Sequence, residues 1–128
     1  MTDEAEILAA VQKNDVTAVR TILDRNPSIL RTRTPNGTLV LTAAFYGSAD
    51  ALKILLAAGA DPNVRSEANY TTLHKAAAHG NPEIVRMLLD RGADPNATRD
   101  GGNTPLDDAR EKGHQAVAEL LETRKGNA

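Results

Sequence analysis

Asn69-Tyr70-Thr71-Thr72-Leu73-His74-Lys75-Ala76-Ala77-Ala78-His79-Gly80-Asn81-Pro82-Glu83-Ile84-Val85-Arg86-Met87-Leu88-Leu89-Asp90-Arg91-Gly92-Ala93-Asp94-Pro95-Asn96 reads as two short helices followed by a turn. Thr71 precedes a helical run that stops at Gly80, a residue suited to a left-handed helix end. Asn81 then caps a second helix, with Pro82 at its first position and Glu83 in its first turn, where a negative charge favours the dipole. Ile84, Val85, Leu88 and Leu89 give that helix an apolar face of helical period, and Gly92 ends it.

The same outline recurs at a spacing of 33 residues on both sides. Gly47, Gly80 and Gly113 keep that spacing, as do Thr38, Thr71 and Thr104. Gly59-Ala60-Asp61-Pro62-Asn63 returns as Gly92-Ala93-Asp94-Pro95-Asn96, and Ala43-Ala44 returns as Ala76-Ala77. Stepping back from Gly47 reaches Asn14, flanked by the apolar residues Ile7 to Val11 and Val16 to Leu23. Four repeats result, roughly 1–32, 33–65, 66–98 and 99–128, in one domain spanning 1–128. Asn36, Asn69 and Gly102 share one place in the intervening turns, and all three tolerate positive φ. A single repeat cannot fold alone. Ordering its backbone costs about 1–2 kcal/mol per residue, and two short helices bury too little area at about 25 cal/mol/Å² to offset that. Stacking on neighbours supplies the missing contact, with the alanine pairs allowing close approach.

Composition narrows the function. Charged residues are 25% and hydrophobic ones 41% of the 128, as in globular proteins. The formal charge of -2 lacks the basic field that non-specific nucleic-acid binding needs. The absence of cysteine excludes disulfides, Cys-ligated zinc and thiol catalysis. No apolar run is long enough to span a membrane. An acidic N-terminus, where a signal peptide would be basic, makes a cytoplasmic chain the expectation. No phosphate-loop, H-E-x-x-H or G-x-S-x-G pattern is present. No catalytic residue, cofactor or metal is therefore expected. His74 and His79 are five apart and do not share a helix face as paired ligands would. Asp61 and Asp94 read as turn formers, and Asp107-Asp108 as a solvated cap.

The quoted stretch, with Gly102-Asn103-Thr104-Pro105-Leu106, resembles an ankyrin repeat. The match covers the third repeat fully, most of the second and fourth, and the first weakly. Leu39 and Thr72 stand where the family usually has Pro, and Leu41 and Asp107 where it has His. The resemblance implies an all-α solenoid of stacked helix-turn-helix units joined by β-turn or hairpin loops. It implies that His74 is the family's structural histidine, bonded to neighbouring turns, and that His114 is structural too. Arg110, standing where inner repeats carry Ala44 and Ala77, would obstruct a following repeat, so the fourth repeat reads as a C-terminal cap, the first as an N-terminal one, and the array as complete. Asn63 and Asn96 resemble hydroxylation sites of the family, but with Pro62 and Pro95 where an aliphatic residue is usual they read as turn residues.

Such arrays bind other proteins through finger turns and the ends of the first helices. Those places hold Phe45, Tyr46, Tyr70, His79, Glu67 and Asn103, with Arg33 and Arg65 in the segments leading to the fingers. All three aromatic residues of the chain fall in this set, where solvent should reach and packing does not require them. Arg31, Arg33, Arg65 and Arg99 form either a basic rim for an acidic partner or a charge row balanced by Glu67 and Asp100. The expected function is a non-enzymatic protein–protein interaction module, monomeric, with no nucleic acid or membrane as partner. The alternatives are a structural, weakly self-associating scaffold and, more narrowly, a regulatory inhibitor of an enzyme such as a kinase.

Overall fold

The computed structural model describes residues 2–31, 33–34 and 37–126. They form two compact units, Met1–Asp61 and Pro62–Ala128, each built from two helix pairs. Pro35 and Asn36, the predicted turn of the second repeat, lie outside the described residues.

In the first unit, α1 (Asp3–Gln12) starts at Thr2, whose Oγ1 accepts from the Ala5 N–H at 3.1 Å. Asp15 caps α2 (Val16–Arg25) in the same way, through Ala18. A short 3-10 turn, Pro27–Arg31, leads to a hairpin in which β1 (Arg33–Thr34) pairs antiparallel with β2 (Gly37–Thr38). Then come α3 (Leu39–Tyr46) and α4 (Ala49–Ala57). The first helices α1 and α3 pack together, and so do the second helices α2 and α4. Ile7, Val11, Val19, Ala43, Ala44, Leu52 and Leu55 fill the interior.

In the second unit, a tight turn at Glu67–Asn69 precedes α5 (Thr72–His79) and α6 (Pro82–Asp90). They are followed by α7 (Pro105–Glu111) and α8 (Gln115–Gly126). Helix α5 packs on α7, and α6 on α8. Ala76, Ala77 and Ala109 are fully buried, so small side chains do bring the first helices close, as the repeat pattern requires. Leu73, Ile84, Val85, Leu88 and Leu121 complete the core.

The three inner starts fall in one register, at Leu39, Thr72 and Pro105, despite their different residues. Thr71 and Thr104 each form a reciprocal cap with the residue three places on, His74 and Asp107. Helix α3 has Leu41 at that place, which offers no polar group in return, and the Thr38 hydroxyl is buried without a partner. The Thr72 hydroxyl, at a place where Pro105 needs none, is likewise buried and unbonded.

One backbone device recurs in every pair. Asn14, Gly47, Gly80 and Gly113 have φ of 57°, 69°, 76° and 75°, the left-handed region that folds the second helix back on the first. Asn14 does more than turn: its Oδ1 accepts from the Ala51 N–H at 2.9 Å, capping α4, where Ser48 makes no side-chain cap of its own. At Gly80 a Cβ would lie only 2.4 Å from Nδ1 of His114, whose Nε2 donates to the Ala78 carbonyl at 2.9 Å. At Gly113 nothing stands within 4 Å. Gly113→Ala should therefore cost only the left-handed backbone, about 1–2 kcal/mol. Gly80→Ala should cost about 1–3 kcal/mol more, from the clash and the displaced imidazole. Urea unfolding of both variants checks the difference; equal losses would refute it.

Candidate functional site

The residues singled out from the sequence divide between the two units. In the first, α3 buries Leu39 to Ala44 in succession and ends with Phe45 and Tyr46 outside that packed stretch. They are 43% and 46% exposed, the large hydrophobic side chains left open to solvent among the described residues. Their rings meet edge to face, with centroids 5.2 Å apart and planes at 71°, an arrangement favoured by the ring quadrupoles. Arg33 lies in β1 opposite Thr38; its side chain is outside the described residues.

In the second unit the finger turns are wired to each other. The Ser66 N–H donates to the Tyr70 carbonyl at 2.8 Å, and 33 residues on the Arg99 N–H donates to the Asn103 carbonyl at 2.9 Å. The Asp100 N–H joins the two turns through the Ala68 carbonyl at 2.8 Å, and Asn69 Nδ2 donates to Asp100 Oδ1 at 2.9 Å. Asn69 and Gly102 have φ of 61° and 87°, as their shared place in the repeat implied. Ala68 also adopts a φ of 57°, a conformation that its counterpart Gly101 takes without a Cβ penalty.

Tyr70 is half-buried rather than open to solvent. Lys75 Nζ lies 4.3 Å and Arg99 Cζ 4.7 Å from its ring centroid, and the His74 ring meets it edge-on. Arg65 Nη1 donates to the carbonyls of Asn69 and Thr98, at 3.0 and 3.1 Å. Arg99 donates from Nε and Nη2 to Asp108, with the shortest contact 2.8 Å. Arg65 and Arg99 thus brace the turns with their guanidinium groups. Asp108 is 4% exposed, which corrects its reading as part of a solvated cap. Adjacent helix residues point about 100° apart, so Asp107 stays at the surface while Asp108 turns inward to Arg99. Asn103 accepts at its carbonyl from both Arg99 and His74. Glu67 and His79 are exposed, on the turn and at the last residue of α5. Asp108 and Lys75 were missed by sequence reasoning: both sit mid-helix as ordinary charged residues, and only the fold brings them to Arg99 and Tyr70.

His74 is the centre of this network and is fully buried. Its Nε2 lies 2.8 Å from the Asn103 carbonyl, which can only accept, so Nε2 carries the proton. Nδ1 then accepts from Thr71, whose Oγ1 is 2.8 Å away and whose N–H is 3.3 Å away. Burial pushes the imidazole pKa below its ordinary value, although the Asn103 carbonyl and the charge of Asp108 pull the other way. The expected structural role, bonding a neighbouring turn, is what the geometry displays. His114 is bonded in the corresponding manner to Ala78.

The family model described as ankyrin repeats (3 copies) matches residues 7–99 and again residues 40–127. The chain belongs to the ankyrin-repeat family. An ankyrin repeat protein of Fowlpox virus (strain NVSL) is 39% identical to it over 62 residues, covering 48% of this chain and 8% of that protein. The chain thus spans under a tenth of the length of the curated relative it matches. Ankyrin repeats are generally protein–protein interaction modules and typically non-catalytic. Among the described residues no group of three or more His, Cys, Asp or Glu is placed to hold a metal ion, and no helix is long and apolar enough to cross a membrane. Asn63, one of the two asparagines resembling ankyrin hydroxylation sites, has its amide engaged: Oδ1 accepts from the Asp94 N–H at 2.8 Å and Nδ2 donates to the Gly92 carbonyl at 3.0 Å.

The state of His74 gives this ankyrin chain a pH dependence with a definite sign. Its folded pKa lies below the unfolded value of 6.5. Below pH 6.5 the unfolded chain therefore binds more protons than the folded one. The His74 contribution is whole above that pH and is lost progressively as the pH falls from 6.5 toward the folded pKa. Melting temperature should fall on acidification through this range, and His74→Gln should flatten the slope while lowering stability at neutral pH by about 1–3 kcal/mol. An unchanged slope in that variant would remove His74 as the cause.

Proposed function

We propose that this chain is a non-enzymatic protein-binding module whose partner docks on the exposed end of α3, with Phe45 and Tyr46 as its anchors. One observation carries the reading. A chain with three aromatic residues in all leaves two of them side by side at the surface, in mutual edge-to-face contact. Leaving nearly half of each residue exposed forgoes part of a burial worth about 1.5–3 kcal/mol for a phenylalanine-sized side chain, and aromatic residues dominate the hot spots of protein interfaces. The ends of the first helices are also the places where the ankyrin resemblance puts partner contacts. His79 holds the place of Tyr46 one repeat later, and is exposed at the end of α5.

Recognition of this kind needs no chemistry, only a surface fixed before the partner arrives. The buried stretch Leu39 to Ala44 holds the backbone of α3 and so fixes where the two rings stand.

The test is the double variant Phe45→Ala, Tyr46→Ala, compared with the wild type in thermal melting and in affinity capture from the source cells. Stability should change by less than about 1 kcal/mol, as for a surface site. Binding of the captured partner should fall at least about tenfold, a hot-spot loss. Collapse of the fold would assign the rings to the core, and undiminished capture would place the partner elsewhere. A dimer seen by sedimentation and abolished by the same variant would make the partner a second copy.

A further inference from the structure

The first unit carries a concave feature on the row of its second helices, α2 and α4. Val16 and Arg20 from α2 and Asp50, Lys53, Ile54 and Ala57 from α4 line a half-open trough of about 310 Å³. The spacing explains how. Positions 16 and 20 share one face of α2, and positions 50, 53, 54 and 57 share one stripe of α4. The trough has an aliphatic lining of Val16, Ile54 and Ala57. Its polar lining is two cations against one anion. Arg20 and Lys53 make no ion pair or hydrogen bond among the described residues, whereas Arg25, Arg99, Arg110 and Arg124 are each paired with a carboxylate. Asp50 is drawn off to the N-terminal end of α4, where it accepts from Asn14 Nδ2 at 3.4 Å. The 33-residue register repeats the cation, as Arg20, Lys53 and Arg86.

We propose that this trough is a docking site for an acidic, aliphatic peptide segment of a partner protein, one whose leucine-like side chain enters the trough while flanking carboxylates meet Arg20 and Lys53. The charge balance sets the sign of the partner: unpaired guanidinium and ammonium groups beside apolar surface attract carboxylates and repel a basic segment. Concavity sets its form. An anionic membrane is met by protruding apolar side chains, whereas a recess with an aliphatic lining receives a side chain. The trough is formed by α2 and α4, and the aromatic pair stands on α3, so this site is independent of the proposed function at Phe45 and Tyr46.

The probe is a capped, fluorescein-labelled peptide Glu-Leu-Glu-Glu-Leu-Leu-Glu, titrated with the full chain and read by anisotropy. The wild type should bind it, with affinity falling as salt rises. The variant Arg20→Glu, Lys53→Glu should bind at least about tenfold more weakly, the scale of lost charge complementarity, with its melting temperature measured alongside to show that it folds. Peptides with Lys for Glu or Ser for Leu should each lose binding. Phe45→Ala, Tyr46→Ala should bind the probe as the wild type does. The proposal is overturned by no binding of the acidic peptide or by equal binding of the lysine peptide. It is also overturned by a folded charge-reversed variant that binds unchanged, or by loss of binding in the aromatic variant. Vesicles of phosphatidylcholine with one-fifth phosphatidylserine form the last arm: retention of the wild type and not of the charge-reversed protein, without peptide binding, would make the occupant a membrane.

Discussion

The two helices of each pair can lie against each other only because one residue between them takes a left-handed backbone. Asn14, Gly47, Gly80 and Gly113 all do so, and everything else about the fold follows from that reversal. It brings the apolar stripes of two short helices onto a common side. It sets the alanine-rich first helices where another first helix can approach, as α5 and α7 do over Ala76, Ala77 and Ala109. It also leaves Phe45 and Tyr46, the last residues of α3, exposed. Where glycine is replaced, by Asn14, the side chain is put to use on α4, which lacks a cap of its own.

Most of this architecture was legible because it is periodic. Gly47, Gly80 and Gly113 gave the reversals, Thr71, Asn81 and Thr104 the helix starts, and the apolar pairs at Leu55 and Leu88 the buried faces. Departures at Leu39, Thr72 and Leu41 did not move the helices, because burial of Leu39 to Ala44 in α3 and of Thr72 to His74, Ala76 and Ala77 in α5 outweighs one local preference. What could not be read was pairing across turns. Asp107 and Asp108 look alike in a string, yet a rotation of about 100° along the helix sends one to solvent and the other to Arg99. Tyr70 looked like its fellow aromatics, and only the fold brings Lys75 and Arg99 against its ring.

The candidate residues of the two units therefore differ in kind. On the second unit the charged and aromatic residues of the fingers are largely occupied with one another, so that Arg65, Arg99, Asn103 and Tyr70 hold a shape. His74 ties that shape to the helix beneath it, donating from Nε2 to the Asn103 carbonyl and, as the neutral ring, accepting at Nδ1 from Thr71. On the first unit Phe45 and Tyr46 are presented to solvent. Rigidity in one place and exposed apolar surface in another are both what preorganised recognition asks of a scaffold.

The placement of the two tyrosines has a practical corollary. With no tryptophan in the chain, ultraviolet emission comes from Tyr46 and Tyr70, and one belongs to each compact unit. Their surroundings are unlike, a hydrated phenol on one side and a ring flanked by cations on the other. Replacing either by phenylalanine leaves a single tyrosine, whose emission lies apart from that of phenylalanine, so the melting of each half can be followed optically without attaching a dye.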